Sequence, residues 1–231
     1  MHRYVLAVLS PRDLNFFWDS LERIDYIDIA VARYMETVKA LETIRMFALE
    51  KNYDYIIIIP DDTIIPYTSI SKIMIDCELF NHKIVTGYSR IRPGVSDCNV
   101  TLNPPWNIEN LKGKPCYYQF YKFLKYNDVI GMLSEGKDIV KVWFVGWSLT
   151  AVHREVFEKV KFRGWITLTD YYGVWNQSCD LAFSYDVWKL GYEPYCDLTV
   201  YIPHLPTGRK NLNIGVKPEE FKFKERKRSI L

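Results

Sequence analysis

The chain lacks the marks of several large function classes. No apolar stretch reaches the ~18 residues that a membrane span needs. The apolar segment that follows Met1-His2-Arg3 is short and has no small-residue cleavage site, so no signal peptide is expected and a cytoplasmic protein is. There is no excess of charge: the net value is +2, and no basic stripe appears before the last residues. Nucleic acid is accordingly not an expected partner. The cysteines, Cys77, Cys98, Cys116, Cys179 and Cys196, form no Cys-x-x-Cys pair, which argues against a zinc site or a redox motif. Their wide spacing fits reduced thiols, and nothing supports a Cys98–Cys116 bridge. Without a secretory signal, the sequons at Asn99 and Asn176 read as chance. The first strand–helix turn carries neither a G-x-G-x-x-G run nor a Walker lysine, which disfavours dinucleotide-binding Rossmann proteins and P-loop ATPases.

Composition is otherwise that of a soluble globular protein, with 48% apolar and 25% charged residues in a chain of 231. That length fits one large domain. Aromatic content is high at 16%. It suits a surface that binds rings or sugars, but a heavily aromatic core gives the same figure.

The most informative tract is Tyr53-Asp54-Tyr55-Ile56-Ile57-Ile58-Ile59-Pro60-Asp61-Asp62-Thr63. A continuous apolar run of this kind reads as a strand buried on both faces. Open α/β sheets bind ligands beyond the carboxyl ends of their strands, which is where Asp61 and Asp62 fall. Two unit charges ~4 Å apart repel by roughly 4 kcal/mol at an effective dielectric of 20. A divalent cation holding a phosphate would offset that repulsion; a solvated Asp-Asp turn is the plainer alternative.

Around this tract, strand and helix patterns alternate. Strands are expected at 4–9, 26–31, 83–87, 140–145 and 198–202, and helices at 36–51, 70–80, 153–160 and 181–190. Ser10-Pro11-Arg12-Asp13 reads as a helix start, with Ser10 as the cap. The pattern predicts an α/β fold with a mostly parallel central sheet and helices on both faces. Residues 89–141 break it with Pro-, Gly- and aromatic-rich stretches, and a long insertion of this kind is expected to serve a second substrate. From Lys217 the tail carries six basic and three acidic residues. It is expected to fray, with a weak membrane-surface contact as the sharper reading.

Taken together, these segments resemble the GT-A glycosyltransferases, in particular the small family-2-like enzymes. The resemblance spans roughly residues 4–206, leaving 207–231 as a basic C-terminal tail and making 1–206 a single catalytic domain. Ile59-Pro60-Asp61-Asp62-Thr63-Ile64-Ile65-Pro66 is similar to the family's Asp-X-Asp tract, with Pro60 in place of its first Asp. Ile44-Arg45-Met46 stands where many members carry Ala-Arg-Asn, so Arg45 would touch the donor. The run from Val145 to Phe157 is similar to the family's glycine turn, strand and helix. There Gly146 would let backbone approach the sugar and Trp147 would offer it a ring face. Asp180 lies eleven residues before Gly191-Tyr192, the family's spacing from its catalytic Asp, with Cys179 replacing a Glu. His204 follows the last strand, where many members complete the metal site.

The resemblance implies transfer of a sugar from a nucleoside-diphosphate sugar to an acceptor hydroxyl on a glycan, a lipid-linked acceptor or a protein. Mn²⁺ or Mg²⁺ would be held by Asp62, Asp61 and His204, and Asp180 would act as general base. Arg90 and Arg92, after the 83–87 strand, could meet the phosphates or the acceptor. Two alternatives stay open: a sugar-nucleotide binding module without catalysis, because Pro60 and Cys179 stand where acids are usual, and a sugar-phosphate nucleotidyltransferase, which the missing glycine- and lysine-rich loop disfavours.

Overall fold

The computed structural model describes residues 2–91, 94–105, 107–111, 122–170, 173–205 and 213–226; at 111, 168–170 and 173–177 it describes the backbone. Arg92, Trp106, Cys116 and the aromatic run 117–121 lie outside these residues.

The isoleucine run forms β3 (Tyr55–Pro60), and β1 (Tyr4–Ser10) and β2 (Asp28–Arg33) lie beside it. Alternate side chains of a strand point to opposite faces. Ile56 and Ile58 enter one core and Ile57 and Ile59 the other. Both faces must therefore be covered, and helices cover them. On one side pack α2 (Thr37–Glu50), α6 (Arg154–Lys159) and α7 (Cys179–Lys189); on the other pack α1 (Asn15–Glu22) and α3 (Ser69–Phe80).

The central sheet has eight strands in the order β12-β2-β1-β3-β8-β4-β11-β6. The added members are β4 (Ile84–Tyr88), β6 (Ile139–Lys141), β8 (Thr150–His153), β11 (Tyr195–Tyr201) and β12 (Glu220–Lys224). It is less parallel than the sequence pattern predicts. β2, β1, β3, β4 and β11 run one way, whereas β8 and both edge strands run the other. β8 enters the sheet from the turn at 146–149 and not from a helix crossover, so nothing forces it parallel. A consequence matters for the site: the N-terminal end of β8 lies at the carboxyl edge of its neighbours.

The inserted region holds β5 (Val100–Thr101), α4 (Ile108–Leu111) and α5 (Tyr126–Ser134). β5 pairs with β7 (Phe144–Val145), and β9 (Ile166–Asp170) forms a hairpin with β10 (Gly173–Gln177). The stretch read as one strand over 140–145 is thus two, with β6 on the main sheet and β7 turned away to β5. The described cysteines, Cys77, Cys98, Cys179 and Cys196, are buried free thiols.

The C-terminal tail does not fray as a unit. Residues 220–224 form β12, which pairs antiparallel with all but the first residue of β2. Phe221 and Phe223 pack on Phe47, and Arg226 N donates to buried Asp28. Alternation of Phe with Lys at 221–224 puts both rings on the Phe47 side, with Phe223 still 39% exposed, and the lysines on the other; charged outward side chains protect a sheet edge. The sequence count of basic residues concealed this two-residue period. Ending the chain at Lys217 is expected to cost about 2–4 kcal/mol of stability in urea unfolding; an unchanged midpoint would mean that β12 contributes nothing.

Candidate functional site

β1, β3, β4 and β11 share a direction, and the loops that leave their carboxyl ends meet. From β3 come Asp61 and Asp62, from β1 comes Arg12, from β4 Ser89 to Ile91, and from β11 His204. The two adjacent carboxylates part company at once.

Asp61 is fully buried and points back under β1. Its Oδ2 accepts from Ser10 Oγ at 3.1 Å, Arg12 N at 2.8 Å and Asp13 N at 2.9 Å, and its Oδ1 accepts from the Arg12 guanidinium at 3.0 Å. Burial pushes the carboxyl up from its ordinary value, against the pull of these donors. Ser10-Pro11-Arg12-Asp13 is thus not the helix cap that its sequence suggests. The helix starts later, at Asn15, and the segment is a loop wrapped round a carboxylate. Asp13 takes the left-handed φ of +66° so that its N–H faces inward. Fully buried and already accepting four hydrogen bonds, Asp61 supports the site and does not offer itself as a ligand.

Asp62 faces the other way. Its Oδ2 lies 3.2 Å from Arg12 and 3.4 Å from His204 Nε2. Burial raises this carboxyl, but the His204 contact and the Arg12 charge outweigh it, and the net shift is downward. Backbone fixes the pairing. Ile64 N donates to Pro203 O at 3.0 Å and Leu205 N to Asp62 O at 2.8 Å, so 62–64 and 203–205 form a short antiparallel bridge. On the far side of the ring, Nδ1 lies 3.2 Å from the Ile91 carbonyl. That carbonyl can only accept, so Nδ1 carries a proton. The Asp62 carboxylate raises the pKa of the imidazole above its ordinary value. When His204 is neutral, its Nε2 lone pair points toward Asp62.

A hard divalent cation asks for oxygen donors, with neutral imidazole as a nitrogen partner. A carboxylate and a neutral imidazole oriented by a backbone carbonyl suit Mn²⁺ or Mg²⁺ of the kind that completes its shell with phosphate and water. Among the described residues no three His, Cys, Asp or Glu side chains converge as a closed cage. An ion here would have two protein ligands, Asp62 and His204, and would take the rest of its shell from other sources.

Pro60, which stands where the resemblance expects an acid, has a local reason. Asp61 N bonds to Leu9 O on the β1 side, so the nitrogen before it faces β8. That ladder ends at Ile58, and proline there forfeits no hydrogen bond.

Three other expected residues sit differently from the sequence reading. Arg45 is buried away from the carboxylates. Its Nε is held by Glu42 and an Nη donates to Phe157 O at 3.0 Å, pinning α2 to α6. It is neither the donor contact nor the solvated helix arginine. Trp147 is a core residue, packed on Phe162 and Phe183, and its Nε1 donates to Cys179 Sγ at 3.2 Å. Its ring faces are spent on protein. Gly146 makes its close approach to Asn99: a Cβ there would stand 2.2 Å from Asn99 Nδ2. The Asn99 amide spans Ser89 N and Ser148 Oγ, tying the insertion to the turn before β8. Asn99 and Arg12 are the residues that sequence reasoning missed: Asn99 reads there only as a chance sequon and Arg12 only as part of a helix start.

Asp180 is in the first turn of α7, and its Oδ1 accepts from Leu181 N at 2.9 Å. Burial raises its pKa to about 6. Helix α7 is fixed at its middle to β7 by Val145 N donating to Ser184 Oγ, and at its N-terminus to the turn before β8 by the Trp147–Cys179 contact. That turn in turn reaches Ser89 through Asn99. Asp180 is thus linked to the strand-end loops only indirectly, through the 145–148 segment, and no hydrogen bond or ion pair among the described residues joins it to Asp62 or His204.

The two carboxylates should separate cleanly in stability. Asp61→Ala strands the Ser10, Arg12 and Asp13 donors and is expected to cost about 3–5 kcal/mol in chemical unfolding, with Asp62→Ala costing distinctly less. Equal losses would contradict the division between support and site.

No protein-family model matches the chain, and no curated protein matches it either. Among solved structures, the chain is similar to A197 from STIV, with a TM-score of 0.53 and 16% identity over 84% of this chain and 81% of that one. At that identity the likeness concerns the fold.

Proposed function

We propose that the protein is a metal-dependent glycosyltransferase of the GT-A fold, moving a sugar from a nucleoside-diphosphate sugar to an acceptor hydroxyl. The observation that carries the proposal is the Asp62–His204 pair, brought together by backbone bonds from two distant segments at the carboxyl edge of the sheet. The A197 likeness supports the fold and nothing finer.

In this reading Asp62 and His204 Nε2 hold Mn²⁺ or Mg²⁺. Such an ion neutralises the charge on the departing diphosphate as a Lewis acid. Asp61 keeps the β1 loop in place, and the Ile91 carbonyl keeps the His204 tautomer. Asp180 accepts the proton of the acceptor hydroxyl. A base with a pKa near the working pH is both deprotonated and strong enough to draw that proton, and burial places Asp180 there at about 6. This role implies inversion at the anomeric carbon. The insertion at 89–141 would present the acceptor, whether glycan, lipid-linked or protein. No helix among the described residues is long and apolar enough to cross a membrane. A cytoplasmic enzyme is proposed, with the outward lysines of β12 as a weak contact for an anionic membrane surface.

UDP-, GDP- and dTDP-sugars with Mn²⁺ are the direct test. One class is expected to raise the melting midpoint, because a ligand of the folded state stabilises it. The shift should vanish in Asp62→Ala and weaken in His204→Ala; no shift with any sugar nucleotide would reject the reading.

Asp180 yields a second test with a definite sign. Its folded pKa of about 6 exceeds the unfolded value, so the folded chain binds more protons over that interval and stability falls as pH rises through it. Asp180→Asn should raise the melting midpoint at neutral pH, bring no gain near pH 4, and cut turnover by ~10²-fold or more. A near-wild-type rate would remove Asp180 as base.

A further inference from the structure

Arg12 belongs to no catalytic or binding motif, yet it stands at the centre of the site. One guanidinium nitrogen is shared between the two carboxylates, 3.0 Å from Asp61 Oδ1 and 3.2 Å from Asp62 Oδ2. Its side chain is only 16% exposed. The loop that carries it is built on both sides. Arg12 N and Asp13 N bond to Asp61, while Asn213 holds Pro11 O and Arg12 O from the C-terminal segment. Tyr34 and Trp18 bind the Asp13 carboxylate. This is a placed charge and not a wandering surface arginine.

Placement there has a cost for any cation. The guanidinium already satisfies Asp61 and leans on the one oxygen of Asp62 that also faces His204. A divalent ion arriving alone must share that carboxylate with a fixed positive charge at hydrogen-bond distance, and like charges so close repel strongly. A diphosphate reverses the balance, since its negative charge answers both the ion and the arginine. Arg12 Nε is buried without a hydrogen-bond partner among the described residues, so the guanidinium is not fully satisfied where it stands, and a phosphate oxygen that draws it over would answer an unmet donor.

We propose that Arg12 makes cation binding conditional on the diphosphate: it depresses the affinity of Asp62 and His204 for a lone divalent ion, and it turns to a phosphate oxygen when ion and diphosphate arrive together. Coupling of this kind is reciprocal, so the ion strengthens diphosphate binding by the same factor. The protein thereby avoids holding a bare cation and reserves the site for the complete metal–diphosphate. The proposal rests on the metal–diphosphate reading of Asp62 and His204 given above.

The experiment is a Mn²⁺ titration of the full chain followed by electron paramagnetic resonance of the free ion, without any nucleotide. Wild type and Arg12→Lys are expected to bind Mn²⁺ weakly, and Arg12→Met to bind it about tenfold or more tightly, since only the last removes the charge. Arg12→Met leaves Asp61 buried without its counter-charge, which lowers stability, so Arg12→Met/Asp61→Asn, which removes both charges, makes the same comparison. Added UDP, GDP or dTDP should raise the Mn²⁺ affinity of wild type more than that of either uncharged variant. Equal Mn²⁺ affinity in wild type and both uncharged variants overturns the proposal, as does Mn²⁺ binding by none of them. Failure of the glycosyltransferase reading would show elsewhere, as the absence of any melting shift with sugar nucleotides, and would leave the Mn²⁺ comparison standing.

Discussion

The burial of the Asp61 carboxylate at the end of β3 is the constraint on which the rest of the site depends. A buried carboxylate is tolerated only when it is paired and fully hydrogen-bonded. Here the last residue of β1 and the loop after it supply all of the partners: a hydroxyl, two backbone N–H groups and a guanidinium. Meeting that demand shapes everything nearby. It delays the start of α1, drives Asp13 to a left-handed φ, and delivers Arg12 to the edge of Asp62. Because Asp61 turns inward, Asp62 is left to turn outward, toward His204.

Two segments far apart in the chain then complete the arrangement. The bridge between 62–64 and 203–205 sets His204 beside Asp62, and the Ile91 carbonyl fixes the ring. The C-terminal segment closes the structure from the other side: Asn213 braces the Arg12 loop, and β12 joins the sheet at β2. A buried charge, its counter-charge and the strand that secures the loop thus form one connected unit, which is why electrostatics and fold are hard to separate here.

Much of the framework was legible from periodicity. The isoleucine run could only be a doubly buried strand, and its alternate side chains divide between two cores as a two-residue period requires. Helices at 37–50, 69–80 and 154–159 followed from their apolar stripes and ended near the expected residues. Strand direction was not legible, since β8 carries the same β-forming residues whether it runs parallel or antiparallel. Nor was the fate of the tail: its basic count suggested solvent, while the Phe–Lys alternation that makes β12 an edge strand shows its meaning only beside β2. Within the site, Asp62, Asp180 and His204 were visible as polar residues at element ends. Trp147 and Arg45 were misread because an aromatic or a cation in a motif-like context looks the same whether its partners are ligand or protein.

By itself, the sequence determined an α/β protein with layered helices, a carboxylate pair at a strand end and an acid at a helix start. Those are local facts, set by side-chain period and backbone propensity. Only the tertiary structure decided which of two adjacent aspartates is support and which faces the site, that glycine at 146 makes room for Asn99, and that Arg12 stands between the carboxylates. Those are matters of who meets whom across long chain separations, and no spacing along the chain encodes them. Asp61-Asp62 reads as a symmetric pair in one dimension; in three, one carboxylate is enclosed by the loop after β1 and the other faces His204, with a single Arg12 nitrogen touching both.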